Sequence, residues 1–265
     1  MKCYLINLDR SPERLEQMEV EFGRLGLSFT RVPAVDGKQL TQEELDAVTP
    51  PVRQWEIPIP PSEIGCFLSH KKCLEIVANG QDQYAAIFED DIELSSDAAK
   101  LLSNLDWIPE GADLVKLETF RTVVLLQRPE EIKGTDFKVA RLLTKHLCTG
   151  GYLISKDAAK RMLLDMNMIS FPVDSLMFDP ACGICSKFAI FQMTPAMCRQ
   201  NTMPSLIEAD RKALRHEYIK RPSLPGLILR EIKRSYGRSS HILSPAKLWT
   251  RLTSDKLWTR IQFKP

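Results

Sequence analysis

The run Ala85-Ala86-Ile87-Phe88-Glu89-Asp90-Asp91-Ile92 constrains this chain more than any other segment. An apolar stretch ends in three consecutive carboxylates, and hydrophobic residues resume at once. Charge beside a core is costly unless it is paired or bound to a cation. No basic residue lies within four positions on either side, which points to a cation from outside. Hard divalent ions such as Mg²⁺ or Mn²⁺ take oxygen ligands and keep positions open for substrate phosphates. The pattern predicts a buried strand, Tyr84–Phe88, with a metal-diphosphate site at its C-terminal end. A solvated acidic turn is the competing reading of the triplet taken alone.

The segments around this strand alternate between strand and helix signals. Lys2–Leu8 reads as a buried strand, and Ser11-Pro12-Glu13 then opens a helix whose apolar face is Leu15, Met18, Phe22 and Leu25. Ser28–Val35 reads as a second strand, Thr41-Gln42-Glu43-Glu44 as a capping box, and Glu63–Ala78 as a longer helix. Asp113–Leu117, Val123–Leu126, Gly151–Ile154 and Lys187–Gln192 are further strands, with a helix at Lys156–Met166. This order predicts an open α/β sheet with its site at the strand ends.

Four other segments carry candidate chemistry. Asn7, Leu8, Asp9, Arg10 and Arg14 sit at a strand–helix junction, where free N–H groups and arginines suit an anionic nucleotide. Asp36, in Ala34-Val35-Asp36-Gly37, either accepts from a base or ribose or initiates a turn. Ser69 and His70 lie on the helix before the acidic strand and offer donors to a diphosphate. Asp174 is isolated between apolar residues in Pro172-Val173-Asp174-Ser175-Leu176, as a shielded general base would be, or it caps a helix.

The ordered set Ile-Asn-Leu-Asp-Arg, Ala-Val-Asp-Gly, Gly-Cys-Phe-Leu-Ser-His and Phe-Glu-Asp-Asp resembles glycosyltransferase family 25, over roughly Lys2 to Ser205. The resemblance implies a GT-A fold (a Rossmann-like open mixed sheet flanked by helices), a UDP-sugar donor, a divalent metal and inversion at the anomeric carbon. In that reading Asp91 and Glu89 are the metal ligands, with glutamate replacing the first aspartate of an Asp-x-Asp motif. Asn7, Leu8, Asp9 and Asp36 lie around the nucleoside, Arg10 and Arg14 near the phosphates, and Ser69, His70 and Asp90 on the donor side. Asp174 is the expected base, with Glu118 as the runner-up. Gly150-Gly151 falls near the acceptor. The expected reaction moves a hexose, galactose or glucose, to a lipooligosaccharide or lipopolysaccharide acceptor. A non-catalytic nucleotide-sugar or carbohydrate-binding protein is the alternative, kept open by Glu89 and opposed by the intact triplet.

Charge divides the chain at about residue 210. Residues 211–265 carry 14 Lys/Arg against 3 acids, whereas residues 1–210 carry 22 against 31. The expected organisation is a catalytic domain over 1–210 followed by a basic helical tail over 211–265. That tail repeats Lys247-Leu248-Trp249-Thr250-Arg251 as Lys256-Leu257-Trp258-Thr259-Arg260, nine residues apart. Two short helices would turn both tryptophans to one surface, either an anionic inner membrane leaflet or the acidic body. The seven scattered cysteines suit a reducing compartment, and no signal peptide or spanning run is evident. Cytoplasmic, peripherally membrane-bound protein is the expectation, with no nucleic-acid partner.

Overall fold

The computed structural model describes residues 1–120, 122–201, 207–218 and 255–265. The first half runs β1 (Lys2–Asn7), α1 (Pro12–Arg24), β2 (Thr30–Pro33), α2 (Gln42–Val48), α3 (Pro61–Asn79), β3 (Tyr84–Glu89), β4 (Ile92–Leu94) and α4 (Ala98–Ser103). It continues through β5 (Leu114–Lys116), β6 (Glu118–Thr119), β7 (Val123–Gln127), β8 (Glu130–Glu131), β9 (Lys138–Arg141) and β10 (Gly151–Ser155). The remainder is α5 (Lys156–Leu164), α6 (Val173–Phe178), β11 (Ile190–Thr194), β12 (Cys198–Gln200), α7 (Glu208–Tyr218) and β13 (Lys256–Arg260).

Eight strands form one mixed sheet in the order β2-β1-β3-β10-β5-β11-β9-β8. β1 pairs in parallel with β2 and β3, and β10 runs antiparallel between β3 and β5. Alternation along β1 and β3 sends side chains to two cores. Tyr4, Ile6 and Ile87 pack with Phe67 and Leu74 of α3, while Leu5 and Phe88 pack with Met18 and Phe22 of α1 and Leu101 of α4. Burial on both faces explains why β3 reads as a continuous apolar run rather than an alternating one. β4, β12 and β6 form a small second sheet that extends the chain past the acids.

Two motifs of the sequence turn out to be a single contact. A Cβ at Gly37 would lie 1.6 Å from the carbonyl oxygen of Pro61, and a Cβ at Gly65 would lie 2.5 Å from that of Val35. The Val-Asp-Gly turn therefore seats directly on the first turns of α3. Ser69 Oγ seals the junction, accepting from Val35 N–H at 2.8 Å and donating to Gly65 O at 2.6 Å.

The second copy of the tail repeat is a strand, not the short helix its spacing suggests. β13 pairs antiparallel with β7, placing Trp258 opposite Leu125, and Ile261 is fully buried beyond it. Ile261 O accepts from Thr119 Oγ1 at 2.7 Å, and Lys264 Nζ reaches Asp97 and Asp136 at 2.8 Å each. Residues 255–265 thus dock on the body. The first copy, Lys247–Arg251, lies outside the described residues. Among the described residues no helix is long and apolar enough to cross a membrane.

Candidate active site

A cleft of about 520 Å³ opens at the C-terminal ends of β1 and β3. Asn7, Leu8, Arg10, Arg14, Asp36, Ser69, His70, Glu89, Asp90, Asp91 and Asp174 all line it, so residues separated by up to 167 positions converge there. Asp9 and Glu118 do not.

Strand polarity brings the N-terminal motif to the acids, because β1 and β3 are parallel neighbours ending side by side. Asn7 Nδ2 donates to Asp90 Oδ2 at 2.7 Å, and Arg14 Nη1 donates to Asp90 Oδ1 at 2.8 Å. Asn7 and Arg14 are buried, so this knot forms the floor of the cleft. Asp90 therefore has both oxygens engaged within the protein. At the rim, Arg10 Nε donates to Asp36 Oδ2 at 2.6 Å, and Asp36 also accepts from Lys38 N–H at 3.1 Å. Asp9 is exposed and pairs with Arg31 outside the cleft.

Asp91 and Glu89, two residues apart, have opposite electrostatic fates. Asp91 Oδ1 is buried with no hydrogen-bond partner. Burial, reinforced by the charges of Glu89, Asp90 and Glu118 and opposed by Arg14, raises the Asp91 carboxyl to about 7. Burial also works against ionised Glu89, but hydrogen bonds from His70 Nε2 (3.1 Å) and Thr149 Oγ1 (2.6 Å) outweigh it and hold that carboxyl below its ordinary value. An orphaned carboxylate oxygen beside an ionised glutamate fits a divalent oxygen-seeking cation.

His70 is fully buried, and both ring nitrogens are engaged, Nδ1 with Tyr152 Oη at 3.0 Å and Nε2 with Glu89. Both nitrogens are thus committed within the protein, Nε2 to the carboxylate of Glu89. Ser69 is likewise committed, to the Val35–Gly65 junction. Cys66 joins this group from one turn earlier on α3: Cys66, His70 and Glu89 each present a ligand atom within 4.8 Å of the others.

Asp174 occupies the second position of α6, with Pro172 at the N-cap, so the capping alternative falls away. Its Oδ2 accepts from Cys148 N–H at 3.3 Å and its Oδ1 from Ser175 Oγ at 3.2 Å. Cys148 has φ of 74°, a strained conformation for a residue with a side chain. Its carbonyl accepts from the fully buried Lys116 Nζ at 2.5 Å. Glu118, the runner-up base, pairs with that same ammonium at 2.8 Å and is fully buried behind the cleft. An acceptor hydroxyl cannot reach it there, which corrects its assignment. Gly150 and Gly151 are also placed differently: a Cβ at Gly150 would press 2.7 Å from Glu118 Oε2, and one at Gly151 2.4 Å from Cys198 Sγ. They are packing glycines beside β3.

Several lining residues carry little sequence signal. Lys145, Cys148 and Thr149 come from the loop before β10, and Gln200 from β12. Arg211 and Lys212 of α7 also line the cleft, and Arg211 forms an ion pair with buried Glu63 of α3. A domain boundary at 210 therefore cuts through a helix that contributes to the site.

The sequence signature of Glycosyltransferase family 25 (LPS biosynthesis protein) matches residues 1–177. The chain belongs to this family. The family-25 enzyme is 27% identical over 210 residues to the lacto-N-neotetraose biosynthesis glycosyltransferase LgtE of Neisseria meningitidis serogroup B, covering 76% of this chain and 74% of that one. It is 23% identical over 266 residues to the lipooligosaccharide biosynthesis protein lic2B of Haemophilus influenzae, covering 91% and 97%. Among solved structures, the galactosyltransferase LgtC in complex with donor and acceptor sugar analogs aligns at 11% identity and a TM-score of 0.37, over 84% of this chain and 98% of that one. The open mixed sheet flanked by helices is the α/β architecture expected from the sequence, and the enzyme is a glycosyltransferase.

Proposed function

We propose that this family-25 enzyme transfers a hexose, galactose or glucose, from a UDP-sugar to a lipooligosaccharide or lipopolysaccharide acceptor, with inversion and with a divalent metal. The carrying observation is the unpartnered Asp91 Oδ1 beside ionised Glu89, in a cleft that also presents Arg10, Arg14 and Asp36. Asp91 and Glu89 would hold Mn²⁺ or Mg²⁺. Bound there, the cation supplies positive charge that offsets the diphosphate as the sugar–phosphate bond breaks.

The protein's own groups do the rest. Arg14, fixed by Asp90, and Arg10 at the rim present cationic hydrogen-bond donors to phosphate oxygens. Asp36 and Leu8 border the nucleoside. Asp174 takes the proton from the acceptor hydroxyl as its oxygen attacks the anomeric carbon opposite the leaving UDP. One bond forms and one breaks in a single displacement, so the configuration inverts. The acceptor class follows the family's description and the names of the Neisseria and Haemophilus relatives. The basic stretch between residues 219 and 254, eight Lys/Arg against one acid, supports peripheral contact with an anionic leaflet.

Incubation of the enzyme with a UDP-sugar panel and Mn²⁺, with and without deacylated lipooligosaccharide, tests the reading. The expected result is UDP release from one UDP-hexose, β-linked product from the α-linked donor, and loss of both in Asp91→Ala. Asp174→Asn is expected to lower kcat by about 10²–10⁴-fold with little change in donor KM. Absence of turnover and of UDP binding with every donor would overturn it.

A further inference from the structure

The thiol of Cys66 lines the cleft and is unused by the transfer chemistry. It sits one helical turn before His70, so both project from the same face of α3. The face meets the end of β3, where Glu89 Oε1 stands 3.1 Å from His70 Nε2. Sulfur, imidazole nitrogen and carboxylate oxygen all lie within 4.8 Å of one another. We propose that Cys66, His70 and Glu89 form a second cation site in the cleft, selective for a thiolate-accepting ion such as Zn²⁺ over Mn²⁺ or Mg²⁺.

Three features beyond proximity support the assignment. The ligand set mixes one sulfur, one nitrogen and one oxygen, a combination suited to Zn²⁺ and poorly suited to hard cations, which prefer oxygen throughout. His70 is oriented from behind by Tyr152 Oη on Nδ1, the arrangement that commonly fixes the tautomer and ring plane of a metal-binding histidine. Cys66, His70 and Glu89 all border the cleft, so an ion has a route in. Three protein ligands with one open position is the form of a reactive or inhibitory zinc site rather than of a closed structural one.

Binding is balanced by one proton. Cys66 enters as a thiol and leaves its proton to solvent as the sulfur–metal bond forms. His70 presents Nε2 to the ion by shifting onto Nδ1 the proton that it otherwise donates to Glu89, and Tyr152 Oη then accepts it. Glu89 exchanges its hydrogen bond to His70 for the metal. Glu89 is also a ligand in the transfer mechanism, so Zn²⁺ here withdraws it from the hard-cation site and inhibits. That consequence rests on the proposed function; the binding does not.

Cobalt(II) titration of the chelator-treated full-length protein tests the binding without turnover, through the near-ultraviolet thiolate-to-cobalt charge-transfer band. The expected result is a band that saturates near one equivalent, is displaced by Zn²⁺, disappears in Cys66→Ser and persists in the Cys182→Ser/Cys185→Ser double variant, which removes the chain's Cys-x-x-Cys pair. Alkylation mapping of the wild-type protein covers the case in which Cys66→Ser fails to fold: Zn²⁺ should slow modification of Cys66 at least about tenfold, and Mn²⁺ should not. A missing band, a band that survives Cys66→Ser, or a Cys66 alkylated equally fast with Zn²⁺ overturns the site. A protein inactive toward every donor would instead sink the transfer reading and leave the band in place. Where turnover is present, Zn²⁺ should inhibit the wild type at concentrations at least about tenfold below those needed for Cys66→Ser.

Discussion

In the proposed mechanism Asp91 and Asp174 carry the chemistry at the scale of single residues, and each makes a measurable demand. The Asp91 carboxyl, raised to about 7, must lose its proton before it can hold a cation. Mn²⁺ affinity should therefore fall as pH drops below about 7, approaching tenfold per pH unit, and calorimetry across that range checks it. The metal-free protein should respond the other way. A carboxyl whose folded value is raised binds its proton more tightly folded than unfolded, so its contribution is present at acid pH and lost as pH climbs through about 7. Melting of the chelated protein against pH should show this decline, flattened in Asp91→Asn. Asp174 depends on the strained Cys148 peptide. Cys148→Gly, free to adopt φ of 74°, should keep kcat within a few-fold, whereas Cys148→Val should lose about 10²-fold by moving that N–H. The sequence motifs pointed at seven of the ten lining acids and arginines, missing Glu63, Glu208 and Arg211, but they could not separate groups that face a ligand from groups already satisfied. Asn7 finds its partner 83 residues away, at Asp90, and His70 its own at Tyr152, 82 residues away. Local sequence cannot reveal such pairings, which is why Asp90, Ser69 and His70 read as donor contacts.

Elements whose apolar period and caps are explicit appear where the pattern places them: α1 behind Ser11-Pro12, α2 under its capping box, and α3 before the acidic strand. The elements it misses are short. β4, β6 and β12 span three residues or fewer and are held by pairing across more than 70 positions, which leaves no local period to read. The tail fails for a different reason. Its charge and tryptophans resemble a membrane-facing helix, but β7 has an open edge that β13 fills, and tertiary pairing overrides the local preference. Ile261→Ala should accordingly cost about 2–4 kcal/mol in denaturant unfolding, a penalty that a free tail would not show. Gly65→Ala should cost about 1–3 kcal/mol, because its new methyl meets backbone of the Val-Asp-Gly turn rather than a movable side chain. Loss of stability there should be accompanied by weaker UDP binding, since that turn carries Asp36 into the cleft.

Across the whole molecule, an acidic body meets a basic C-terminal segment, and part of the opposition is resolved internally. Arg211 pairs with Glu63, and Lys264 with Asp97 and Asp136. The stretch between 219 and 254 retains a large positive excess, the basis for proposing contact with an anionic leaflet. Substituting Lys233, Arg234 and Arg238 by Glu should weaken co-sedimentation with anionic vesicles, while binding unchanged by the triple substitution would contradict that contact. Charge reversal is preferable to deleting Lys247–Pro265, which would also remove β13 and Ile261 from the fold. The proposed activity requires the acids at the end of β3 to join a cation to a diphosphate. Calorimetric binding of UDP, with and without Mn²⁺, to the wild type and Asp91→Asn measures that directly. Mn²⁺ should tighten UDP binding to the wild type by at least about tenfold, roughly 1.4 kcal/mol, and leave Asp91→Asn unaffected. Equal UDP affinity of the wild type with and without Mn²⁺ would contradict the account.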